Sequence, residues 1–214
     1  MYDPDKYRST RLTPSQARGK ERVRIILAAA LEIFKDRGIE EATTNEIAAR
    51  ANIPIGSLYR YYSNKDAIIK VLTELYVDDL GAIFADIAGH PLLPYFSWSE
   101  LLFMLVDSWV HYSHMSGRFA FLYAERANPR LRKLNKPAWA KFANSFCAVL
   151  KKRCPSLTDR QLAICMQFAL AASELGINES YEEEVGQHLH YEAIEVIACY
   201  LNGICERHGH EQSA

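Results

Sequence analysis

Between Thr43 and Ile69 runs TTNEIAARANIPIGSLYRYYSNKDAII, a stretch dense in side chains that can touch nucleic acid. Ser57 can bond a base edge or a phosphate, and Ile55 can meet a thymine methyl. The hydroxyls of Tyr59 and Tyr61 can reach phosphate oxygens, while Gly56 permits close backbone approach. Leu58 and Tyr62, spaced i and i+4, can face a core, which leaves Ile55, Gly56, Ser57, Tyr59, Arg60 and Tyr61 around the exposed arc. Ser63 is placed to cap the next helix, whose first amides and Lys65 make a natural phosphate site.

Such side chains work only if short elements present them. Thr43 and Glu46 spell a capping box, followed by the apolar positions Ile47, Ala48 and Ala51 on barely two turns of helix. Asn52, Ile53 and Pro54 break that helix, and Pro54 can launch a second one through Tyr61. Two short helices joined by a few residues match a helix-turn-helix, whose second helix offers its N-terminal residues to the major groove. The competing reading, that a Tyr-rich helix is packed core, holds for Leu58 and Tyr62.

The segment GSLYRYYSNKDAI resembles the signature of the TetR family of bacterial transcriptional regulators, Gly-(Ser/Thr)-Leu-Tyr-x-Tyr-Phe-x-x-Lys-(Glu/Asp)-x-Leu. Upstream, IILAAALEIFKDRGIEEATTNEIAARANI is similar to that family's first helix, Gly turn and second helix, in the same order and spacing. The likeness covers residues 18 to 72; Tyr62 stands for the usual Phe, Ile68 for Leu, and Pro54 where many members carry a polar cap. The resemblance implies that Tyr59, Tyr61 and Lys65 contact phosphates, that Thr44 caps the second helix near the DNA backbone, and that Ile55, Gly56, Ser57 and Arg60 lie nearest the bases. It also implies a homodimer, a palindromic operator, a repressor's role and a small, largely apolar effector that releases the DNA.

Charge is unevenly distributed. Residues 1 to 72 carry 13 Lys and Arg against 9 Asp and Glu, while residues 73 to 214 carry 12 against 17, so the N-terminal third suits a polyanion. Arg8, Arg11, Arg18, Lys20, Arg22 and Arg24 crowd in or ahead of the first helix, as a DNA-following arm or as a solvated tail. With 49% hydrophobic and 24% charged residues the chain can bury a sizeable core. It has no apolar run of membrane-spanning length and no signal-peptide pattern, which makes the bacterial cytoplasm, with the nucleoid, the expected location. Cys147, Cys154, Cys165, Cys199 and Cys205 lack any Cys-x-x-Cys pair and read as reduced, packed thiols.

The expected architecture is all-α, with about nine helices and no strand-like alternation. Thr13, Pro14 and Gln16 open the first helix and Gly38 ends it. A long helix follows from Lys65 to about Ala88, another from Ser97 or Ser99 to about Ser116, another from Pro137 to Arg153, one from Thr158 to about Gly176, and the last from about Glu183 to Glu206. Residues 1–14 form an arm, 15–66 the DNA-binding domain, and 67–214 a ligand-binding and dimerisation domain. No Gly-rich phosphate loop, Gly-x-Ser-x-Gly or His-Glu-x-x-His motif occurs, so neither a catalytic site nor a cofactor is expected.

The middle of the chain is rich in aromatics, either plain core or the lining of an effector pocket. The pocket reading enlists Phe103, Asp107, Trp109, His111, Tyr112, His114, Phe119, Tyr123, Trp139, Phe142 and Phe146. His111 and His114 share a helix face but have no carboxylate or Cys at matching spacing, so no metal is expected. Gln161 to Ala172 is apolar nearly all round and the final helix carries a broad apolar stripe. The two either sit in the middle of a domain or meet their own copies; the resemblance implies the second, a pairing across a two-fold axis. The interface residues expected there are Gln161, Cys165, Phe168, Ala169, Ala172, Leu189, Ala193, Val196, Ile197, Tyr200, Leu201 and Ile204.

Overall fold

The computed structural model describes the backbone of residues 14–115, 128–175 and 183–211, and the side chains of 18–113, 128–171, 189 and 191–206. The arm ahead of Pro14 with its Thr13 cap, the residues Phe119 and Tyr123, and the side chains of His114 and Ala172 lie outside what is described. Among the described residues the chain is all-α: α1 (Pro14–Arg37), α2 (Thr44–Arg50), α3 (Ile55–Tyr59), α4 (Lys65–Gly89), a 3₁₀ turn (Leu93–Tyr95), α5 (Trp98–Met115), α6 (Pro129–Arg153), α7 (Asp159–Leu175) and α8 (Glu183–Glu211). They form two compact units, one of Met1–Tyr76 with Ser113–Pro137, the other of Val77–Tyr112 with Ala138–Ala214. Helices α4, α5 and α6 each contribute residues to both.

In the first unit every short helix is held by local chemistry. Gly38 ends α1 with a φ of 78°, a left-handed conformation that costs glycine nothing, and its amide bonds the Phe34 carbonyl at 2.9 Å. The capping box at α2 forms as the sequence implies: the Glu46 amide donates to Thr43 Oγ1 at 3.2 Å, and the Thr43 amide donates to Glu46 Oε2 at 2.9 Å. Thr43 is therefore the cap; Thr44, which the resemblance put in that role, is the first helical residue.

The turn between α2 and α3 is made by Asn52. It adopts φ 51°, its amide bonds the Ala49 carbonyl at 3.0 Å, and the Ile53 amide reaches back to Ala48 at 3.0 Å. That pair of bonds is a Schellman motif with Asn in the left-handed position and Ile53 as its buried apolar partner. Pro54 stands outside α3 as its N-cap, with ψ 141°, and the helix ends two residues earlier than the sequence suggests. The cap of α4 also moves: Asn64 Oδ1 accepts from the Ala67 amide at 2.9 Å, so Asn64 and not Ser63 closes its first turn. A residue that caps must sit one place before the helix, and Ser63 is one too early.

These helices enclose one core. Ile26, Ala30, Phe34, Ile39, Ile47, Leu58, Tyr62, Ile68, Ile69 and Leu72 are buried together, and Leu131 from the start of α6 is buried among them. Burial pushes the Tyr62 hydroxyl up to about 12.

Helix α6 begins eight residues earlier than expected. Asn128 Oδ1 accepts from the amides of Arg130 at 2.9 Å and Leu131 at 3.3 Å, so the true start signal is Asn-Pro at 128–129. Pro137, read from sequence as a helix start, lies in the helix interior. In the second unit, Ser97 rather than Ser99 caps α5, trading bonds with Glu100 at 2.7 and 3.2 Å, and Thr158 does the same for α7 with Gln161 at 2.8 and 3.3 Å.

Thr43→Ala should cost about 1 kcal/mol in urea unfolding without changing the slope against denaturant. Hydrogen bonds from Thr43, side chain first, hold the Glu46 carboxyl below its ordinary value, and those from Ser97, backbone first, do so for Glu100. A carboxyl held low contributes stability that is present above its unfolded value and lost as pH falls through its folded value. Resistance to thermal unfolding should therefore fall on acidification below about pH 4. The double variant E46Q/E100Q should show a flatter acid limb.

Candidate nucleic-acid interface

Around α3 the alternation of buried and exposed side chains follows the helix. Leu58 and Tyr62 are buried, Ile55 and Ser57 half-buried, Gly56 and Arg60 exposed, and Tyr59 and Tyr61 expose 51% and 39% of their surface. Large aromatic rings that open to solvent beside a fully buried leucine are not core. The side chains of Ser57, Arg60 and Tyr61 make no hydrogen bond or ion pair with any described residue, so their donors face outward. Neighbouring arginines are spent internally: Arg24 on Glu21 at 2.6 Å, Arg37 on Glu46 at 2.8 Å, and Arg50 on Glu32 at 2.7 Å and Asp36 at 3.5 Å. Of the positive charge in this unit, Arg60 is the part offered on the face of α3.

Tyr59 and Thr44 join the two helices through their hydroxyls, 3.1 Å apart. One O–H is used in that contact and the other remains able to donate outward. Tyr59 is exposed and Thr44 half-buried, and between them they keep one polar hydrogen to spare.

Lys65 departs from its expected role. Its ammonium donates to the carbonyls of Ile39 at 2.5 Å, Glu40 at 2.9 Å and Ala42 at 2.9 Å. An ammonium has three donors, and all three are committed to the turn between α1 and α2, leaving none for a phosphate. The same turn is gripped from another side, where Asn128 bonds Glu40, and Arg130 pairs with Asp66 at 2.5 Å and Glu40 at 3.6 Å. Sequence reasoning missed Asn128 and Arg130 because their partners lie 88 and 64 positions away. It also missed Asn52, although Asn is, after Gly, the residue suited to that turn.

In the second unit, two expected groupings are redistributed. Phe103, Asp107 and His111, proposed as pocket lining, fall at i, i+4 and i+8 on the exposed face of α5, and Phe103 stacks on Tyr191 of α8 at 5.6 Å. Trp109, Phe142 and Phe146 are buried and close-packed: Phe142 lies 4.8 Å from Trp109, 5.5 Å from half-buried Trp139 and 5.6 Å from Phe84, which meets Phe146 at 5.9 Å. Tyr112 is half-buried and bonds Asp79. A cleft of about 310 Å³ lies elsewhere, lined by Ala88, Gly89, His90, Pro91, Leu93, Pro94, Lys152 and Arg153.

Of the expected interface residues, Cys165, Ala169, Ile197, Leu201 and Ile204 are buried in the unit's own core. The amide of Gln161 is spent on the α7 cap. A helix that is apolar all round must cover one face at home first, and these residues are on that face. Phe168 and Val196 remain open, exposing 48% and 60%, with Cys199 beside Val196; Leu189, Ala193 and Tyr200 are half-buried.

Residues 26–72 match the model of the bacterial regulatory proteins, tetR family. A transcriptional regulator of Bacillus subtilis, YxbF, is 40% identical over 62 residues, which cover 29% of this chain and 16% of that protein. Matches to two further curated relatives reach 30% and 21% of their lengths, so the chain spans well under two thirds of any of the three. A TerR/AcrR-family regulator from Aquifex aeolicus superimposes with a TM-score of 0.62 at 20% identity, covering 82% of this chain and 99% of that one. The structure of FadR from Bacillus subtilis in complex with stearoyl-CoA does so with 0.63 at 19%, covering 82% and 97%.

The segment from residue 26 to residue 72 is a TetR-family DNA-binding segment. The chain's helix-turn-helix is the matched segment, α1 to the start of α4, and the remaining helices complete the TetR fold.

Lys65→Met should cost about 2 kcal/mol of stability, the scale of hydrogen bonds to a charged group, read in urea unfolding. It should leave the slope of log affinity for DNA against log salt unchanged. A lysine in contact with a phosphate would lower that slope by about 0.9 when removed.

Proposed function

We propose that this protein is a TetR-family transcriptional regulator that binds a palindromic operator as a homodimer, represses from it, and is released by a small, largely apolar effector. The observation that carries the reading is the outward set on α3: Ser57, Arg60 and Tyr61 unpaired and Tyr59 half open, on a helix anchored by buried Leu58. Gly56 lets the backbone approach, Ile55 offers an apolar contact, and Thr44 adds a hydroxyl at the N-terminus of α2. Cytoplasmic action on the nucleoid follows from binding DNA.

Dimerisation is supported by the faces that α7 and α8 leave open. Phe168 on one and Val196 with Cys199 on the other are apolar and uncovered, whereas the opposite faces of both helices are buried. A two-fold pairing of these faces would set two copies of α3 on successive turns of one face of the DNA. In this reading residues 67–214 carry the dimer contact and the effector site. Stearoyl-CoA, the ligand of the similarly folded FadR, suggests long-chain acyl thioesters as the first effector class to try. The close packing of Phe84, Trp109, Phe142 and Phe146 favours a second reading, in which the same fold binds DNA without an effector.

Fluorescence anisotropy with DNA fragments flanking the protein's own gene tests the first claim. Arg60→Ala should weaken binding to the preferred fragment by about 1–3 kcal/mol and relax the choice among fragments, whereas Tyr61→Phe should weaken all of them alike. No preference among fragments at any salt concentration would overturn the regulator reading. Sedimentation should show a dimer that F168E/V196E converts to a folded monomer. Operator affinity unchanged across a panel of acyl thioesters and other apolar ligands would favour the second reading over the first.

A further inference from the structure

Cys154, just past the end of α6, and Cys205 in α8 are 51 positions apart in sequence, yet their sulfurs lie 2.8 Å from one another. Both are free thiols. Cys154 is buried, with the Ser156 hydroxyl 3.2 Å from its sulfur, and Cys205 is half-buried. Elsewhere the Cys147 sulfur donates to the Leu162 carbonyl at 3.7 Å, and Cys199 is exposed. Reaching the ~2.05 Å of an S–S bond requires the two sulfurs to close by less than about 1 Å.

We propose that Cys154 and Cys205 are a modification site, which hydrogen peroxide converts to a reversible disulfide stapling the end of α6 to α8. Cys205, the more exposed, gives up its proton to water, and its sulfur attacks the peroxide O–O bond. A sulfenic acid forms, and the leaving oxygen takes a proton and departs as water. The Cys154 sulfur then attacks the sulfenic sulfur; the S–S bond forms, and the hydroxyl leaves with the Cys154 proton as a second water. Two thiols and one peroxide thus yield one disulfide and two waters, with two electrons passing from sulfur to oxygen. A dithiol reductant reverses the bond.

The surroundings set the pace of this reaction. Burial, then the neighbouring Cys154 thiol, push the Cys205 thiol up to about 12, with Trp98 and Arg153 opposing. Thiolate is scarce near neutral pH, so the pair responds to sustained exposure to oxidant and not to a brief pulse. Because Cys154 is already in contact, a sulfenic acid on Cys205 meets its resolving thiol before a second peroxide. None of this depends on the DNA-binding role.

The test uses the full chain, incubated for hours with hydrogen peroxide, then alkylated with iodoacetamide, digested and weighed. The expected result is a peptide pair linked through Cys154 and Cys205, with three of the five cysteines left to alkylate. The melting temperature should rise by several degrees and return with dithiothreitol. Cys147→Ser should leave the link in place, and Cys205→Ser should abolish the link and the rise. Recovery of Cys154 and Cys205 fully alkylated, while exposed Cys199 is oxidised or joined between chains, would overturn the proposal. So would Cys205 recovered as a sulfinic acid with Cys154 still free.

Discussion

The turn at residues 39–42 is held by one ammonium group. Lys65 stands at the first position of α4 and bonds three carbonyls of that turn, which follows α1 and precedes the Thr43 cap of α2. Three backbone oxygens converging on one point would repel one another; a cation between them turns that repulsion into the tie joining three helices. Leu58 and Tyr62 then have a fixed floor to pack on, and the short α3, which has too few turns to stand alone, is oriented by them. Arg130 and Asn128 secure the same turn through Glu40 and Asp66, so the N-terminus of α6 belongs to the assembly that aims α3.

Much of this unit could be read from sequence because its signals are local. The Thr43–Glu46 box, the Gly38 stop and the burial of Leu58 and Tyr62 depend on neighbours within a few residues, where spacing and side-chain type suffice. Errors arose where two residues compete for one task. Ser63 and Asn64 can each cap, and Thr43 and Thr44 likewise; the helix register that chooses between them is set by tertiary packing. The role of Lys65 is hidden in the sequence for a related reason. A lysine at a helix N-terminus suits a phosphate by type, and only the folded chain shows three carbonyls already there.

The larger unit was less legible, because its helices are apolar on more than one side. Composition shows that α7 and α8 must be covered, but not which residues are covered by the protomer itself. Cys165, Ala169, Ile197 and Leu201 proved to be the inner face, and Phe168 and Val196 the outer. An abundance of aromatics likewise cannot tell a cavity from a cluster. Phe84, Trp109, Phe142 and Phe146 pack on one another in tilted and edge-to-face pairs, while Phe103, Asp107 and His111 fall on the opposite side of α5.

Pro137 sits inside α6 at the residue where the first compact unit ends, and Ala138 opens the second. A proline there has no amide hydrogen to give the carbonyl four residues back, and its ring crowds that carbonyl. The helix is thus missing one rung of its ladder at the crossing point. Along an otherwise continuous rod, that is where bending α6 breaks the fewest bonds.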